Sequence, residues 1–576
     1  MNGGEIIARV LHDRGVRELF TLCGGHISPI LVEANKAGIR VTDVRDEAAA
    51  VFAADAHARL TGIPGVAAVT AGPGLTNTIT AVKNAQLAQS PLLVLGGATA
   101  TALKGRGALQ DIEQMPLMQP HVKFARAVRR RRDLAPAVIE ALEAAASGVP
   151  GPVFVECPVD LLYDEKTVRG WYADSTPRGW SPGALAIRGY MKWHLRKVFG
   201  GRREMPDKPA PPAPQAPADA DIQNIAEHVA NAEKPVMVVG SQAVVRAEQA
   251  ERVRHAIEAL GIPVFLSGMA RGLLGAEHEL LFRHKRRNAI KAADLVVLAG
   301  VPCDFRLDYG KQIRRKARLV AFNLSRPDLK LNRKPDHGLL ADPGACLVAL
   351  AEKLDEAEAD RSAWIAELRE RDAAREADID QQAATSGDPG VNPLKLFRAL
   401  DTVIGDDSVL VADGGDFVAT ASYTVKPRGP LRWLDPGAFG TLGVGGGFAL
   451  GAMRARPTSQ VWILYGDGSL GYSLIEFDTY ARHGLAPIAI VGNDASWAQI
   501  AREQVKLLGD DTAVTLARTD YHAAAEGLGG KGLVIRSDDE IGDILEQAKQ
   551  LAENGFPVLV NVHLAKTDFR EGSLSI

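Results

Sequence analysis

The sequence of 576 residues has little cysteine, no long apolar run and almost no excess of either charge. Its four cysteines lie far apart and form no CxxC pair, which argues against a structural zinc site or a disulfide framework and favours a reducing compartment. The formal net charge is only -3, so the chain lacks the basic excess that a nucleic-acid partner requires. We therefore expect no nucleic acid among its partners.

The longest apolar runs, such as Val236–Val239 and Leu295–Ala299, are too short to cross a membrane. The N-terminus begins almost at once with an amphipathic helix, and it has neither the apolar core of a signal peptide nor a membrane anchor. These absences predict a cytoplasmic protein in which the short apolar runs form buried parallel strands.

What the sequence does contain is a repeated alternation of short apolar strands with amphipathic helices, which is typical of parallel α/β layers. At this length several cores are expected. We predict an α/β fold with three doubly wound parallel-sheet domains. The predicted bounds are 1–165 for the first domain, 166–220 for a basic helix and Pro-rich linker, 221–355 for the second domain, 356–390 for a helical linker, 391–564 for the third domain and 565–576 for a tail.

Within the first connecting segment, apolar and basic side chains alternate at helical spacing. The apolar set is Ile187, Met191, Leu195 and Val198, and the basic set is Arg188, Lys192, Arg196 and Lys197. Two interpretations stay open: a helix lying on a membrane surface, or a helix packed on the body of the protein or on a partner subunit. The stretch Pro206–Pro217 that follows is rich in proline and alanine and is expected to be extended.

The second domain has a six-strand Rossmann-like pattern of apolar strands but no GxGxxG sequence, so a nicotinamide site is poorly supported. It is also dense in basic residues. These could bind the phosphates of a ligand or could form a solvated surface stripe. They are Arg271, Arg283, Lys285, Arg286, Arg287 and Arg306.

In the third domain an apolar strand runs into a Gly-Asp-Gly turn, VWILYGDGS at Val461–Ser469, and the next predicted strand ends on Asn493 and Asp494. Because the carboxyl ends of neighbouring parallel strands meet at one edge, Asp467 can approach this pair. Such oxygen ligands suit Mg²⁺ bridging a diphosphate, and the glycines let the backbone approach a phosphate.

The first domain carries a second set of motifs. Glu47 stands between a predicted strand and an Ala-rich helix, where a carboxylate by itself could simply stabilise the helix dipole. The next strand is followed by the turn GPGLTN at Gly72–Asn77, and the third domain adds the glycine-rich segment Gly440–Ala452.

Together these motifs resemble the thiamine-diphosphate-dependent enzymes, whose GDG turn is followed by an Asn-Asn pair. Here Asp494 replaces the second Asn, so either Asn493 or Asp494 could be the metal ligand. The resemblance implies that Mg²⁺ is held by Asp467, Asn493 or Asp494, and the backbone carbonyl of Ser496. It implies cofactor contacts from Glu47, Pro73, Asn77, Gly414, Gly415, Asp416, Phe417, Gly440, Leu442, Gly466, Gly468, Ser469 and Asn493.

The resemblance also implies roles for the domains and for single residues. The first domain would bind the aminopyrimidine and the third the diphosphate, with Glu47 bonded to N1′ and promoting the imino tautomer. Leu442 would hold the cofactor in a bent form. Because the pyrimidine-binding domain of one subunit faces the diphosphate-binding domain of its neighbour in this superfamily, a homodimer or homotetramer is expected.

Segments over nearly the whole chain, among them TLCGGHISPIL, RGALQDIEQ and PRGPLRWLDPGAFGTLGVG, are similar to the acetolactate synthase-like proteins that form the second type of 2-hydroxyacyl-CoA lyase. The implied reaction cleaves a 2-hydroxyacyl-CoA to formyl-CoA and an aldehyde or ketone, or runs in reverse as an acyloin-type condensation. The implied catalytic residues are Glu47, His26 and Gln110, and the implied substrate-binding residues are Gly25, His26, Ile27, Arg271 and Arg306.

Three other functions compete with this one: an acetolactate synthase acting on pyruvate, an oxalyl-CoA decarboxylase and a non-catalytic paralogue. The synthases usually have Phe where this chain has Leu109, which favours a different substrate. Retention of Glu47, Asp467 and the Asn/Asp pair argues against a non-catalytic protein. The last twelve residues are a candidate lid, with Arg570, Ser573 and Ser575 near the substrate.

Overall fold

The computed structural model describes residues 1–201, 215–354, 360–387 and 389–567. Contacts divide the chain into two compact units, residues 1–59 with 63–212 and residues 60–62 with 213–576. The first unit contains one parallel sheet and the second contains two, which confirms the predicted α/β class with three parallel-sheet domains. The exact bounds of the three domains stay predictions.

The first sheet has six strands in the order β2-β1-β3-β4-β6-β5, all paired in parallel. Its strands are β1 (Glu18–Thr21), β2 (Arg40–Asp43), β3 (Gly65–Val69), β4 (Leu92–Ala98), β5 (Phe124–Ala127) and β6 (Pro152–Pro158). Its helices are α1 (Gly3–Asp13), α2 (Ser28–Lys36), α3 (Glu47–Thr61), α4 (Pro73–Thr76), α5 (Ile79–Ala88), α6 (Gln114–Met118), α7 (Leu134–Ala146), α8 (Val159–Leu162), α9 (Glu165–Asp174) and α10 (Pro182–Phe199).

The central strands of this sheet are apolar because helices cover both of their faces. Every residue of β3, β4 and β6 is buried, and apart from Glu156 their sequences are continuous apolar runs rather than alternating patterns. Ala, Val and Leu side chains of α1 and α7 fill one of these covering layers. Burial of this kind supplies most of the stabilisation of the unit.

Helix α10 is the basic helix expected from the sequence. Leu195, Val198 and Phe199 at its C-terminal end belong to the apolar core of the first unit, which confirms the interpretation as a helix packed on the body. Met191 is half-buried against the same core, whereas Ile187 is exposed. Most of the predicted extended linker Pro206–Pro217 lies outside the described residues.

The second sheet has five strands in the order β11-β10-β9-β7-β8. They are β7 (Pro235–Val239), β8 (Val264–Leu266), β9 (Leu295–Ala299), β10 (Arg318–Phe322) and β11 (His337–Leu339). The associated helices are α11 (Asp219–Ala230), α12 (Ala250–Leu260), α13 (Arg286–Ala292), α14 (Arg326–Leu329), α15 (Pro343–Lys353) and α16 (Ser362–Ala383).

The prediction of six strands in this domain was wrong for the part of the chain that the structure describes. After β11 the chain forms α15 and α16 instead of a further strand. Trp364 and Leu368 of α16 pack into the core of this sheet, and the Trp364 indole N–H donates to the carbonyl of Pro235 at 3.0 Å. Apolar side chains at helical spacing thus cover the sheet rather than extend it.

The third sheet has six strands in the order β13-β12-β14-β15-β17-β16. They are β12 (Val409–Asp413), β13 (Trp433–Leu434), β14 (Val461–Gly466), β15 (Ile488–Asn493), β16 (Lys531–Ile535) and β17 (Val558–His563). The helices are α17 (Pro393–Val403), α18 (Asp416–Thr424), α19 (Val444–Ala455), α20 (Asp467–Leu470), α21 (Glu476–Arg482), α22 (Ala498–Leu508), α23 (Tyr521–Gly527) and α24 (Ile541–Glu553).

Two further expectations concern the ends of the chain and its cysteines. In the described ranges, no helix combines the length and the apolarity that crossing a membrane would need. The candidate lid residues Arg570, Ser573 and Ser575 lie outside the described residues. Cys23, Cys157, Cys303 and Cys346 are all free thiols, and all but Cys23 are buried.

Candidate functional site

The first group of candidate residues lies at the carboxyl edge of the first sheet. Helix α3 begins at Glu47, as the sequence predicted, and places its carboxylate in a buried position where 6% of the residue is exposed. The side-chain amide of Asn77 donates to Glu47 Oε2 at 2.9 Å. Asn77 and Pro73 are themselves exposed on the turn that follows β3. The structure therefore brings Glu47, Pro73 and Asn77 together.

The turn between β3 and α4 approaches Glu47 closely because it is made of glycine. Gly72 has φ +65°, a left-handed conformation that favours glycine. A Cβ at Gly74 would lie 3.2 Å from Glu47 Oε1 and 2.7 Å from the Thr70 methyl group. A side chain at Gly74 would disturb the carboxylate, and one at Gly72 would be strained and would meet Gln110, so both glycines are steric requirements of this turn.

His26 lies next to the same turn. Its Nδ1 is 3.2 Å from the hydroxyl oxygen of Thr70, and partial burial lowers the pKa of the imidazole, which favours the neutral ring. Gly25 beside it is exposed. Ile27 differs from its neighbours because its side chain is fully buried in the apolar core, so only its backbone is available to a ligand.

Gln110 is placed over the glycine turn by a loop in an unusual conformation. Its φ is +63°, and its backbone oxygen lies 3.0 Å from where a Cβ on Gly72 would be. Leu109 beside it is 84% exposed, so this side chain is presented to whatever binds at this edge. The structure therefore brings Gln110 to the glycine turn that also approaches Glu47.

The sequence prediction missed a buried residue that holds these parts together. Gln114 accepts from the Gly72 N–H at 3.3 Å and donates to the Gly97 carbonyl at 3.0 Å and to Glu156 Oε2 at 3.1 Å. Lys104 completes the group with a 2.8 Å ion pair to Glu156. Gln114 ends the segment RGALQDIEQ, but the sequence of that segment does not show which of its side chains is buried.

The second group lies at the carboxyl edge of the third sheet, in the other unit. Strands β12, β14 and β15 are adjacent, with Gly466 in register with Gly492, so Asp467 and Asp494 each follow the end of neighbouring strands. Asp467 is 3% exposed; its Oδ1 accepts from the Gly468 N–H at 2.9 Å, while its buried Oδ2 has no hydrogen-bond partner among the described residues.

The two carboxylates perturb each other. Burial, and next the charge of Asp494, raises the pKa of Asp467 to about 7. Burial also raises the pKa of Asp494 to about 6, against hydrogen bonds from Ser496 that lower it. The backbone N–H groups of Ala495 and Ser496 also lower the pKa of Asp467, which places this loop directly at the Asp467 carboxylate. Two crowded acids of this kind form a site for a cation.

Asn493 has a different environment from Asp494. As the last residue of β15 it is fully buried, and its amide donates to the Thr519 carbonyl at 3.2 Å and to Asn561 Oδ1 at 3.1 Å. Its Oδ1 has no hydrogen-bond partner in the described ranges. Its amide group thus ties β15 to β17 and to the loop before α23, whereas Asp494 interacts with Asp467.

Glycines let the backbone segments of this edge come close together. A Cβ at Gly414 would lie 2.8 Å from the Gly466 nitrogen, and one at Gly468 would lie 2.4 Å from the Trp497 ring. The hydroxyl of Ser469 donates to the carbonyl of Gly466 at 2.9 Å. Gly415 immediately precedes α18, whose first backbone N–H groups have no partner within the helix. This arrangement suits an anion such as a phosphate.

The remaining predicted cofactor residues lie around this edge. Asp416 forms an ion pair with Arg502 of α22. Phe417 is 8% exposed and lies in the core against Gly492, where a Cβ would be 2.4 Å from its ring, so its side chain supports β15. Gly440 has φ +64° and Leu442 is half-buried.

Asp413 is a second buried residue that the sequence prediction missed. Its carboxylate oxygens accept from the N–H groups of Gly443 and Gly445 at 3.1 and 2.7 Å, where α19 begins. Complete burial raises its pKa to about 7 in spite of these bonds. The contact fixes the loop that carries Leu442.

Among the described residues of the second unit, two cavities concern the predicted site residues. One of about 1040 Å³ is lined by Asp416, Asp494 and Ser496 together with α22, so it lies beside the acidic pair. The other, of about 310 Å³, is lined by Arg271, Arg283, Arg286 and Arg287 and by residues 422–427. The first could admit a ligand to the carboxyl edge, and the second has the charge of an anion site.

The arginines of the smaller cavity are held by backbone carbonyls. Arg271 donates to Ser422 O at 2.7 Å, Arg283 to Val425 O at 3.0 Å and Arg286 to Arg306 O at 2.7 Å. Burial lowers the pKa of each of these three guanidinium groups, and for Arg286 the charges of Arg271 and Arg306 lower it further. Such a concentration of positive charge favours binding of an anion.

Arg306 differs from the other predicted substrate residues. Its guanidinium forms a 2.6 Å ion pair with Asp304, which neutralises it within its own loop. It is not among the residues that line the smaller cavity in the described part of the chain. Arg271 lines that cavity; Arg306 does not.

In the described ranges, no group of three or more His, Cys, Asp and Glu side chains has the arrangement of a metal site. If a metal ion bound at the acidic pair, the pair could offer it at most two side-chain ligands. Backbone and ligand oxygens would have to complete the octahedron that Mg²⁺ prefers.

Comparison with known proteins gives three matches to models of thiamine pyrophosphate enzymes. Residues 1–117 match the N-terminal TPP binding domain, 222–350 the central domain and 413–562 the C-terminal TPP binding domain. The 2-hydroxyacyl-CoA lyase 2 proteins of Danio rerio and Homo sapiens are 51% and 49% identical to this chain, covering all of it and 93% and 92% of their own lengths. A probable acetolactate synthase of Mycobacterium bovis is 33% identical over 98% of this chain and 95% of its own.

The raised pKa of Asp467 predicts a stability change with pH in protein freed of metal ions by a chelator. The folded state holds a proton on Asp467 up to about pH 7, whereas the unfolded state releases it near the ordinary value of about 4, so stability should fall as pH rises between these values. Asp467→Asn removes this penalty, and it should raise the stability at about pH 8 by on the order of 1 to 4 kcal/mol, with little change at about pH 4.

The measurement is the melting midpoint of both proteins across this pH range. Asp406→Asn, at an exposed carboxylate, is the matched control and should follow the wild type. Parallel melting curves for wild type and Asp467→Asn at every pH would contradict the burial argument.

Proposed function

The chain belongs to the thiamine pyrophosphate enzyme family, and from that premise we propose that it is a 2-hydroxyacyl-CoA lyase that cleaves its substrate to formyl-CoA and an aldehyde or ketone. The relatives at about half identity over the full chain are named for this activity. The observation that carries the proposal is the presence of two formed half-sites: Glu47 held by Asn77, and Asp467 facing Asp494.

We infer that the resident cofactor is thiamine diphosphate with Mg²⁺. The carboxyl edge of the third sheet fits this group, because Asp467 has a buried oxygen without a partner and Asp494 repels it. A divalent cation would bind the oxygen that lacks a partner and would offset the repulsion between the two carboxylates, with the Ser496 carbonyl as a third ligand. The diphosphate would lie against Gly414, Gly468 and Ser469. When bound, the cofactor supplies the electron sink for the broken carbon–carbon bond.

Asp494 rather than Asn493 is the ligand that we propose. The amide of Asn493 is already bonded to Asn561 and Thr519, whereas the carboxylate of Asp494 acts directly on Asp467. An additional carboxylate should strengthen the hold on a cation.

Glu47 would exchange a proton with the aminopyrimidine N1′. Its burial removes competing water, and its bond to Asn77 orients one oxygen while the other lies near Gly74. A fixed carboxylate of this kind can act as acid and base without reorganising.

His26 is the residue that we propose to accept the proton of the substrate's 2-hydroxyl group. Its lowered pKa leaves the imidazole neutral at physiological pH, as a base must be, and its contact with Thr70 orients the ring. Gln110 would bond the substrate from the facing loop, with Gly25 and the Ile27 backbone on the other side.

The arginine cavity favours coenzyme A over pyruvate as part of the substrate. A small keto acid needs no separate anion site, whereas coenzyme A carries phosphates that Arg271, Arg283 and Arg286 could bind. Leu109 stands where acetolactate synthases usually have Phe, which also favours a substrate other than pyruvate. Arg306 is a weaker candidate because of Asp304.

We further propose a homodimer or homotetramer, in which the Glu47 half-site of one subunit serves the Asp467 half-site of its neighbour. The free thiols favour a reducing compartment such as the cytoplasm. The resemblance to thiamine-diphosphate enzymes implies this assembly. Sedimentation of the holoenzyme would measure its number of subunits directly.

The activity test follows formyl-CoA by mass after incubation with thiamine diphosphate, Mg²⁺ and a 2-hydroxyacyl-CoA. Wild type should release it, and Glu47→Gln should lower kcat by about 10²-fold or more, because an amide cannot exchange the proton. Asp46→Asn is the matched neighbour, exposed and one residue earlier, and should stay within a few-fold of wild type. Acetolactate from pyruvate without formyl-CoA would support the synthase instead, and release of CO₂ from oxalyl-CoA the decarboxylase.

A pair of variants distinguishes the two candidate metal ligands. Asp494→Ala should weaken Mg²⁺ binding by roughly tenfold or more, measured by calorimetry in the presence of thiamine diphosphate, because half of the acidic pair is lost. Asn493→Ala should mainly lower the melting temperature, since it breaks the link to Asn561 and Thr519. The opposite pattern would assign the ligand to Asn493.

The coenzyme A assignment is tested with Arg286→Gln. KM for the acyl-CoA should rise roughly tenfold with kcat nearly unchanged, as expected for loss of a charge-assisted contact to a remote phosphate. An acyl-pantetheine substrate, which has no such phosphates, should show no difference between the two proteins. Arg315→Gln, at an exposed residue, is the control. An unchanged KM for acyl-CoA would remove the cavity from substrate binding.

A further inference from the structure

The outer face of α10 presents large apolar and aromatic side chains to solvent. We define this face by Trp180, Leu185, Ile187, Tyr190 and Trp193, which are 89%, 46%, 45%, 46% and 55% exposed. Soluble proteins scatter exposed apolar residues, but a contiguous patch marks an interaction site. The rings of Tyr190 and Trp193 lie 5.9 Å apart, so they form one surface.

The helix that carries this face is firmly attached by its other side. Leu195, Val198 and Phe199 pack into the core, and His194 Nε2 lies 2.9 Å from the hydroxyl of Thr101. Because these contacts already satisfy the buried side of the helix, the packing of α10 in the first unit does not require aromatic residues on its outer face.

The charge of the same segment has one sign. From Ser175 to Gly201 the sequence has no acidic residue, and its basic residues are Arg178, Arg188, Lys192, Arg196 and Lys197. Lys197 lies 5.2 Å from the Trp193 ring centre, and Arg188 lies 5.9 Å from that of Trp180. The aromatic rings and the cations thus alternate on one surface.

A second basic group adjoins the C-terminal end of the helix. The run Arg129–Arg132 lies beside it, with the guanidinium of Arg131 4.9 Å from the centre of the Phe199 ring. Two separate parts of the sequence therefore contribute positive charge to one region of the first unit. This convergence could not be read from the helix sequence alone.

The surroundings of this face are open. Gly183 and Gly189 lie among its side chains, and an added Cβ at either position would meet nothing within 4 Å. An open group of rings bordered by long cationic side chains fits a surface of phosphate groups over hydrocarbon. Trp and Tyr occupy the headgroup level of membranes, while Lys and Arg extend to the phosphates.

We propose that the outer face of α10, with Arg129–Arg132, binds the surface of a membrane that contains anionic lipid. The attachment is peripheral: the helix lies along the surface, and its buried side stays on the protein. Charge attracts the region to the surface and insertion of the two tryptophans retains it.

The test is co-sedimentation of the full-length holoenzyme with vesicles of phosphatidylcholine alone and of phosphatidylcholine with phosphatidylglycerol. We expect binding to the anionic vesicles only, weakened by salt, with a blue shift of tryptophan emission. Trp180→Ser with Trp193→Ser should abolish the shift, and Lys192→Glu with Lys197→Glu should lower the partition coefficient about tenfold or more. Arg315→Glu with Lys316→Glu, exposed basic residues of the other unit, should bind like wild type.

All four proteins should keep the same kcat in the absence of vesicles. No sedimentation of wild type at low salt, or equal binding by the tryptophan variant, would overturn the proposal. Binding to soluble polyglutamate as tight as to vesicles, without a blue shift, would assign the face to an acidic protein instead. A lower oligomeric mass of the tryptophan variant would assign it to a second copy of the chain.

Discussion

Two acidic side chains, Asp467 and Asp494, are held side by side at the ends of neighbouring parallel strands, and their mutual repulsion is the constraint on which the rest of the site depends. Parallel pairing of β14 with β15 brings the two residues to one edge, and burial withholds the water that would screen them. Burial of two adjacent carboxylates destabilises the folded state unless a bound cation or a proton offsets their charge. The glycine turns of the same edge leave room for phosphate groups, so both features agree with the metal-bound diphosphate that we propose.

In the first unit the fold holds a single carboxylate, that of Glu47, in a fixed and buried position. Glu47 begins a helix and is covered by a turn whose glycines leave just enough room for its oxygen. That turn is held from behind by Gln114, which in turn is held by Glu156 and Lys104. A chain of buried polar contacts of this kind is stable only when all its members are satisfied. The position of Glu47 therefore depends on buried residues behind the turn.

Single residues show how far motif reasoning extends. The positions of Glu47 and Asp467 next to strand ends were predicted from the local pattern, whereas their roles came from the resemblance. Ile27 and Phe417, adjacent to motif residues, have side chains in the core, because successive residues at a helix start point in different directions. Arg306 is paired with Asp304 in its own loop, and the number of basic residues in the sequence does not reveal such a pair. The second sheet has five strands where six were expected, because the chain after β11 forms helices that cover the sheet.

What the sequence by itself determined is the α/β class, the order of the motifs and the identity of the residues at the strand ends, because these depend on local periodicity and on turns that few residue types can form. Only the tertiary structure decided which of Asn493 and Asp494 faces Asp467, which arginines share a cavity, and which buried carboxylates brace the turns. It also brought Arg129–Arg132 to the aromatic face of α10. Each of these depends on contacts between segments far apart in the chain, and such contacts leave no periodic signal in a single sequence.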